Sequence, residues 1–371
     1  MKDLDYCRNR IDEIDQKLIE LFEERMNIVV DVARYKEANN LPIFNKQRED
    51  EVIAKNVARV KDEALKSYTR DMLHSLMDIS KEYQCEKIGK REAALSKGKE
   101  IKLGFQGDLG SFGEEALIKY FGKGYAKTNF EEFEDVFTAL KFSKIDYGVL
   151  PIENSSTGSI TAVYDLLKKY GFHIVGETLL RIEHNLLGVK GTKIEDIKEV
   201  YSHSQGFEQS SDYIKTLKDI KTIPYHNTAI SAKYVSESND STKVAIAGKR
   251  AAEIYDLEIL QKAINNAKEN YTRFIVIGRE FESTELCNKL TISFTVPNKA
   301  GYLYKQLEAF SNSNINMRKI ESRPMGNGSF NYFFYVDIDG NINIPEVKAA
   351  LDMVEETAQD FRILGAYKRQ E

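Results

Sequence analysis

The sequence predicts a multidomain protein: an all-α domain, then an α/β domain, then a small α+β domain. Three observations carry this reading. Residues 1 to about 95 keep an apolar period of threes and fours, residues 101 to about 284 break into short apolar runs separated by helical stretches, and the remainder reads βαββαβ. The length agrees, since a chain of 371 residues is expected to divide into two or three cores.

Leu4, Cys7, Ile11, Ile14, Leu18, Leu21, Ile28, Val32 and Tyr35 trace the seam of one long helix of coiled-coil type. Asn39, Asn40 and Pro42 break it, Asn45 is placed to cap a second helix, and Tyr68, Met72, Leu76, Ile79 and Tyr83 mark a third. Two short partners cannot cover the stripe of so long a helix, so pairing with a second copy is expected. From Ile101 the runs IKLGF, DYGVLPI, FHIVGETLL, KVAIAG and RFIVIG alternate with helical segments, which predicts parallel strands with crossover helices. After residue 284 follow a strand over 290–296, a helix over 303–311, strands over 316–323 and 330–338, a helix over 346–356 and a strand over 362–367. That order is ferredoxin-like. The expected domains are 1–97, 98–284 and 285–371.

Composition excludes several classes of function. Three cysteines, Cys7, Cys85 and Cys287, have no paired spacing, so neither a disulfide framework nor a CxxC zinc site is expected. The five histidines show no ligand spacing; no metal and no cofactor is called for. With 53 basic and 58 acidic residues and a net charge of −5, nucleic acid is not an expected partner. No apolar leader and no 18-residue apolar run occur, so no membrane span is expected and the cytoplasm is the expected compartment.

Cations interrupt the first seam. Arg25 falls seven residues after Leu18 and seven before Val32, and Lys36 lies on the same face about 16 Å further on. Arg48 and Glu49 open the second helix, while Ser80 and Gln84 continue the face of Leu73 and Met77. Taken singly, each fits a solvated face, and Arg25 a register-fixing polar residue. Together they suit a small dianion bearing hydroxyl and ether oxygens, because guanidinium groups grip carboxylates bidentately.

The run CRNRIDEIDQKLIELFEERMNIVVDVARYK, then NKQRE, Ser80 and Gln84, resembles the all-helical chorismate mutases. The resemblance implies that Arg25, with Arg8 from a partner subunit, holds the two carboxylates, with Arg48 nearby. Lys36 and Gln84 would donate to the ether oxygen; Glu49 and Ser80 would orient the ring. Asn45 stands where related enzymes often carry aspartate. Arg8 and Arg25 are 17 residues apart, roughly 25 Å along one helix, too far to grip one small ligand from a single chain. Chorismate rearrangement is pericyclic and needs only a held conformer and cations at the developing oxyanion.

In the middle region, GFQGDLGSFGEEA follows a strand and opens a helix, with Ser111 and Glu114 spaced as a capping box and backbone amides placed for an anion. The run DYGVLPIENSSTGSI ends a strand in a carboxylate, an amide and hydroxyls, which also suits a plain Ser/Thr-rich turn. With SHSQGFEQ, VAIAGKRAAEIYDL and NYTRF, in that order, these blocks resemble prephenate dehydratase. That family implies a two-lobed, periplasmic-binding-protein-like domain in which Thr272 is catalytic, Arg273 binds a carboxylate, and Asn154, Ser202 and Gln209 line the cleft. A leaving hydroxyl needs a proton donor, for which Thr272 and Glu153 both stand as candidates. His184 and His203 read as structural.

The last region is similar to ACT domains. Its Glu321-Ser322-Arg323-Pro324 matches a phenylalanine-response signature, and Gly301 and Leu303 match the other half of that site, with Tyr302 where a methyl is usual. End to end, the chain resembles the bifunctional chorismate mutase/prephenate dehydratase family, which implies a homodimer or higher homo-oligomer acting on chorismate and prephenate, with phenylalanine as effector. Arogenate as substrate, and a middle domain that senses a ligand without turning it over, are the alternatives.

Overall fold

The computed structural model describes residues 3–38, 46–87, 101–325 and 332–370, in two compact units, Met1–Glu100 and Ile101–Glu371. No helix among the described residues is long and apolar enough to cross a membrane.

The first unit is all helical: α1 (Leu4–Ala38), α2 (Lys46–Val57) and α3 (Lys66–Lys87). Its core is small, formed by Ile53, Val57 and Met77 with Val52 and Leu73. Met26 and Val30 are buried on α1, yet Leu4, Ile11, Leu18 and Ile28 on its seam are each more than half exposed. One chain thus leaves most of the apolar stripe of α1 uncovered.

The second unit begins with a lobe of β1 (Lys102–Gln106), α4 (Phe112–Phe121), β2 (Ala126–Phe130), α5 (Phe133–Lys141), β3 (Tyr147–Asn154), β4 (Gly158–Ser159), α6 (Thr161–Tyr170) and β5 (His173–Arg181). A second lobe follows: β6 (Asn185–Gly188), β7 (Glu199–Ser202), α7 (Ser204–Gln209), α8 (Ser211–Ile214), β8 (Lys221–Pro224), α9 (Thr228–Ser238), β9 (Lys243–Ala247), α10 (Lys249–Ile254) and β10 (Glu258–Gln261). Then β11 (Tyr271–Gly278) returns to the first lobe, so the chain crosses between lobes twice. This is the expected two-lobed architecture.

The strands are not all parallel, as the sequence reading had them. β11 runs antiparallel to both β3 and β5, and β6 is antiparallel to β9 and β10. A strand that comes back from the other lobe enters the sheet from the opposite end, and its apolar run from Phe274 to Ile277 does not report direction.

The last region is β12 (Lys289–Thr295), α11 (Tyr302–Asn312), β13 (Met317–Pro324), β14 (Tyr332–Asp339), α12 (Pro345–Thr357) and β15 (Gln359–Tyr367), the expected ferredoxin-like order with sheet order β13-β14-β12-β15. Both helices cover one face of this sheet. The other face shares a core with the first lobe, where Phe333, Tyr335, Leu364 and Tyr367 pack with Leu150, Tyr164, Leu167 and Ile275. The expected join at 284/285 therefore falls inside one packed body.

Candidate active sites

In the helical unit Arg25 and Ser80 meet. The Arg25 guanidinium donates to the Ser80 hydroxyl and to the Leu76 carbonyl at 3.5 Å, so α1 is tied to α3 at the expected cation. Burial lowers the Arg25 pKa. Arg8 is exposed and 3.7 Å from Asp5; Arg48 is exposed and 3.4 Å from Glu51. Asn45 lies outside the described residues, as do the side chains of Lys36, Glu49 and Gln84.

At the junction of the two lobes a buried amide network surrounds Thr272. Register pairs Thr272 on β11 with Asn154 on β3, so both side chains project from the same face. Asn154 Nδ2 donates to Thr272 Oγ1 at 2.9 Å and to Asn270 Oδ1 at 2.8 Å. The far end of Asn154 is fixed by backbone: its Oδ1 accepts from Ser156 N at 2.9 Å and Thr157 N at 3.1 Å. The ENSST turn thus orients the amide that orients Thr272. Because Thr272 Oγ1 accepts this bond, its own proton is left to donate elsewhere. Gln209, at the end of α7, joins through Asn270 Nδ2 at 3.0 Å.

Ser202 is not part of this network. It is fully buried in the second lobe, donates to the Ile246 carbonyl at 3.0 Å, and sits against Gly206, where an added Cβ would come within 2.3 Å of its oxygen. It sets the start of α7 rather than the junction.

Arg273 also stands apart from Thr272, because successive residues of a strand face opposite sides. Its guanidinium binds Asp337 on β14 and lies 3.7 Å from both Glu177 and Glu153. Lys289 bridges Glu177 at 2.8 Å and Asp337 at 3.3 Å. Burial pushes the Asp337 carboxyl up, but Arg273 and Lys289 outweigh it and hold the group down at about 2. Glu153 pairs with Lys319 of β13 at 2.9 Å. Arg273, next to Thr272 in sequence, and Glu153, next to Asn154, therefore both face the third domain.

The glycine-rich loop is occupied by its own chain. Ser111 caps α4 as expected, but the Glu114 carboxylate turns back to Gly110 N at 2.7 Å and pairs with Lys127 at 2.8 Å. Burial raises the Glu114 pKa, and the bonds from Lys127 and Gly110 overcome this and lower it. The anion expected at this turn is thus supplied by Glu114. The same loop contacts the second lobe: Asn227 donates to Asp108 at 3.0 Å and Tyr255 to the Leu109 carbonyl at 2.9 Å. Gly110, at φ 88°, permits that approach, since a Cβ there would stand 2.9 Å from Ala251 Cα.

In the third domain, Gly301 caps α11 at φ 84° and Leu303 packs toward the helix core. On β13 alternate side chains divide. Lys319, Glu321 and Arg323 turn to the first lobe, with Glu321 accepting from Ser159 at 2.5 Å and Arg323 donating to Asp165 at 2.7 Å, whereas Ser322 and Pro324 are exposed.

Comparison with known proteins agrees with this order of sites. Family models match in sequence: chorismate mutase type II over residues 7–85, prephenate dehydratase over 103–282 and the ACT domain over 290–355. A bifunctional chorismate mutase/prephenate dehydratase of Buchnera aphidicola is 33% identical over 97% of this chain and 95% of its own. An Arabidopsis thaliana protein named arogenate dehydratase/prephenate dehydratase 1, chloroplastic, is 39% identical over 72% of each chain. Among solved structures, prephenate dehydratase from Arthrobacter aurescens in complex with L-Phe aligns with a TM-score of 0.67 and 27% identity, covering 72% of this chain and 90% of that one. A structure described as GqqA, a quorum quenching acylase, also aligns at 0.67, with 28% identity over 72% of this chain and 98% of its own. A helical unit followed by a two-lobed α/β enzyme body with a ligand-response domain is the class these features define. The chain belongs to the bifunctional chorismate mutase/prephenate dehydratase family.

Proposed function

We propose that this protein rearranges chorismate to prephenate in its helical unit and converts prephenate to phenylpyruvate at the junction of its two lobes, as a cytoplasmic enzyme of phenylalanine biosynthesis. The observation that carries the reading is the match in order of all three domains, with a named bifunctional relative aligned over nearly the whole chain.

For the first reaction, Arg25 and Arg8 of a second subunit grip the carboxylates, with Arg48 nearby. Lys36 and Gln84 donate to the ether oxygen, Glu49 and Ser80 orient the ring, and Asn45 accepts from the substrate hydroxyl. The exposed stripe of α1 supports a homodimer or higher homo-oligomer, which would bring Arg8 to the partner's site.

For the second reaction, loss of the ring carboxylate as CO2 leaves an electron pair that aromatises the ring and expels hydroxide. Thr272 donates to that leaving oxygen, and the direction of the Asn154 bond supports this role, since it leaves the threonine proton free. The pairing of Glu153 with Lys319 on the opposite face favours Thr272 over Glu153 as donor. Gln209 binds a substrate carboxylate, a role supported by its link to Thr272 through Asn270 and Asn154.

Phenylalanine acts as a feedback effector at Gly301, Leu303 and Glu321 to Pro324. The contacts of Glu321 and Arg323 with Ser159 and Asp165 give that strand a direct hold on the first lobe. A second reading exchanges the substrate: the identity to a protein named for arogenate as well as prephenate favours testing both. Product analysis on the full chain with chorismate, prephenate and arogenate, each with and without phenylalanine, tests all of this. Prephenate from chorismate, and phenylpyruvate from prephenate that phenylalanine suppresses, are expected. A protein that binds prephenate but forms no phenylpyruvate would be a sensor in its middle domain.

A further inference from the structure

We propose that His184 and Asn270 are positioning residues of the dehydratase site: together they turn the Gln209 amide so that its Nε2 group, not its oxygen, is offered to a substrate carboxylate. The inference rests on the dehydratase reading and adds to it two residues and a direction.

The direction is forced step by step. A backbone N–H can only donate, so the two amides of Ser156 and Thr157 fix the acceptor end of Asn154. Its other end is then Nδ2, a donor, and the partner at 2.8 Å must be the Asn270 oxygen, which also receives Ser156 Oγ at 3.3 Å. That leaves Asn270 Nδ2 toward Gln209, whose facing atom is the acceptor Oε1 at 3.0 Å. His184 Nε2 lies 3.0 Å from the same Oε1, so it carries the proton. Both lone pairs of the Gln209 oxygen are thereby used.

The environment agrees with each step. His184 is 3% and Asn270 2% exposed. Burial lowers the His184 pKa, against the Gln209 bond, which favours a neutral ring with one proton. That proton being on Nε2, the ring's Nδ1 is a bare acceptor, and Nδ1 is indeed a buried atom without a hydrogen-bond partner among the described residues. Among the described residues Gln209 Nε2 has no hydrogen-bond acceptor, and Gln209 is only half-buried. Its two N–H groups suit an anionic oxygen, whereas an amide turned the other way would set an oxygen against it.

The test is steady-state conversion of prephenate by the full chain. His184→Phe keeps a ring edge-on to Phe112, now 5.5 Å between centroids, but removes the donor. It is expected to raise KM about 10-fold or more with a smaller change in kcat, and His184→Gln, which restores an N–H, to return within about 3-fold of wild type. Asn270→Asp removes the other donor and should act in the same direction. In a Gln209→Leu background, His184→Phe should add little, because the group it orients is gone. The Tm of the second unit reports folding. A folded His184→Phe protein with wild-type KM, or an effect fully additive with Gln209→Leu, would overturn the proposal; if His184→Phe does not fold, the Asn270→Asp and His184→Gln kinetics decide it in the same way. A wild type that turns over no prephenate would remove the underlying dehydratase reading itself.

Discussion

The two candidate sites differ in how much of each one chain supplies. Around Thr272 the amides of Asn154, Asn270 and Gln209 satisfy one another within a single chain, and the paired strands β3 and β11 fix Asn154 and Thr272 in register. Around Arg25 one chain supplies a single tie to Ser80, while Arg8 and the seam of α1 stand in solvent. A sheet brings distant residues together across its ladder; a long helix spreads its residues along a line, and only another helix can complete the site. The first site is therefore expected to survive dilution and the second is not.

The largest effect sharpens this contrast directly. Arg25→Ala should lower chorismate turnover about 10²- to 10³-fold while leaving prephenate conversion near normal, and Thr272→Ala should do the reverse. Thr272→Ser, which keeps the hydroxyl, should lose far less, as should Glu153→Gln; steady-state assays of both reactions on each variant decide. A Glu153→Gln protein as dead as Thr272→Ala would contradict the placement of the proton donor.

Subunit mixing tests the shared character of the helical site. Arg8→Ala and Arg48→Ala proteins, each inactive alone, should regain part of the mutase activity when mixed, since one composite site keeps both arginines. No recovery after full subunit exchange would break the comparison, by showing that one chain is enough.

The Arg273 face supplies a stability effect. Asp337→Asn leaves Arg273 and Lys289 short of their shared buried partner, and about 3 to 5 kcal/mol should be lost in denaturant unfolding of the second unit. Asp337 is depressed in the folded state, so its contribution is present above its unfolded pKa near 4 and is lost as pH falls toward about 2. Wild type should therefore lose stability across that interval more steeply than Asp337→Asn.

A smaller effect concerns Glu115, on α4 where the first lobe meets Arg250 of the second. Burial raises its pKa to about 7, against the backbone bond and charge at Arg250. A raised carboxyl contributes stability that is present below its unfolded pKa and lost as pH rises through 7. Glu115→Gln should come nearest to wild type at about pH 4 and melt higher at pH 8; an unchanged Tm difference between the two pH values would show that the carboxyl is solvated.

Much of this was legible in the residues. The period of α1 and the βαββαβ order follow from local spacing, and the structure repeats them with shifts of a few residues at the ends, while the break expected at Asn39 to Pro42 lies outside the described residues. Thr272 and Asn154 came from motifs. Asn270 could have been found as well, because it stands two residues before Thr272 and strand alternation puts both on one side. The same rule placed Arg273 and Glu153 on the other side, a consequence that reading motifs as blocks conceals. His184 carried no sequence signal, since its role depends on Gln209, 25 residues away along the chain.

By itself the sequence determined the domain order and most of the helices and strands, and it named candidate site residues, because period, caps and motifs are properties of neighbours along the chain. Only the tertiary structure decided that β11 inserts antiparallel between β3 and β5, that Glu114 fills its own loop, and that Arg273 binds Asp337 of the third domain. Those outcomes depend on which face of a strand meets which neighbour. A buried charge goes where an opposite charge is within a few ångströms, and that distance is set by packing between segments far apart in sequence.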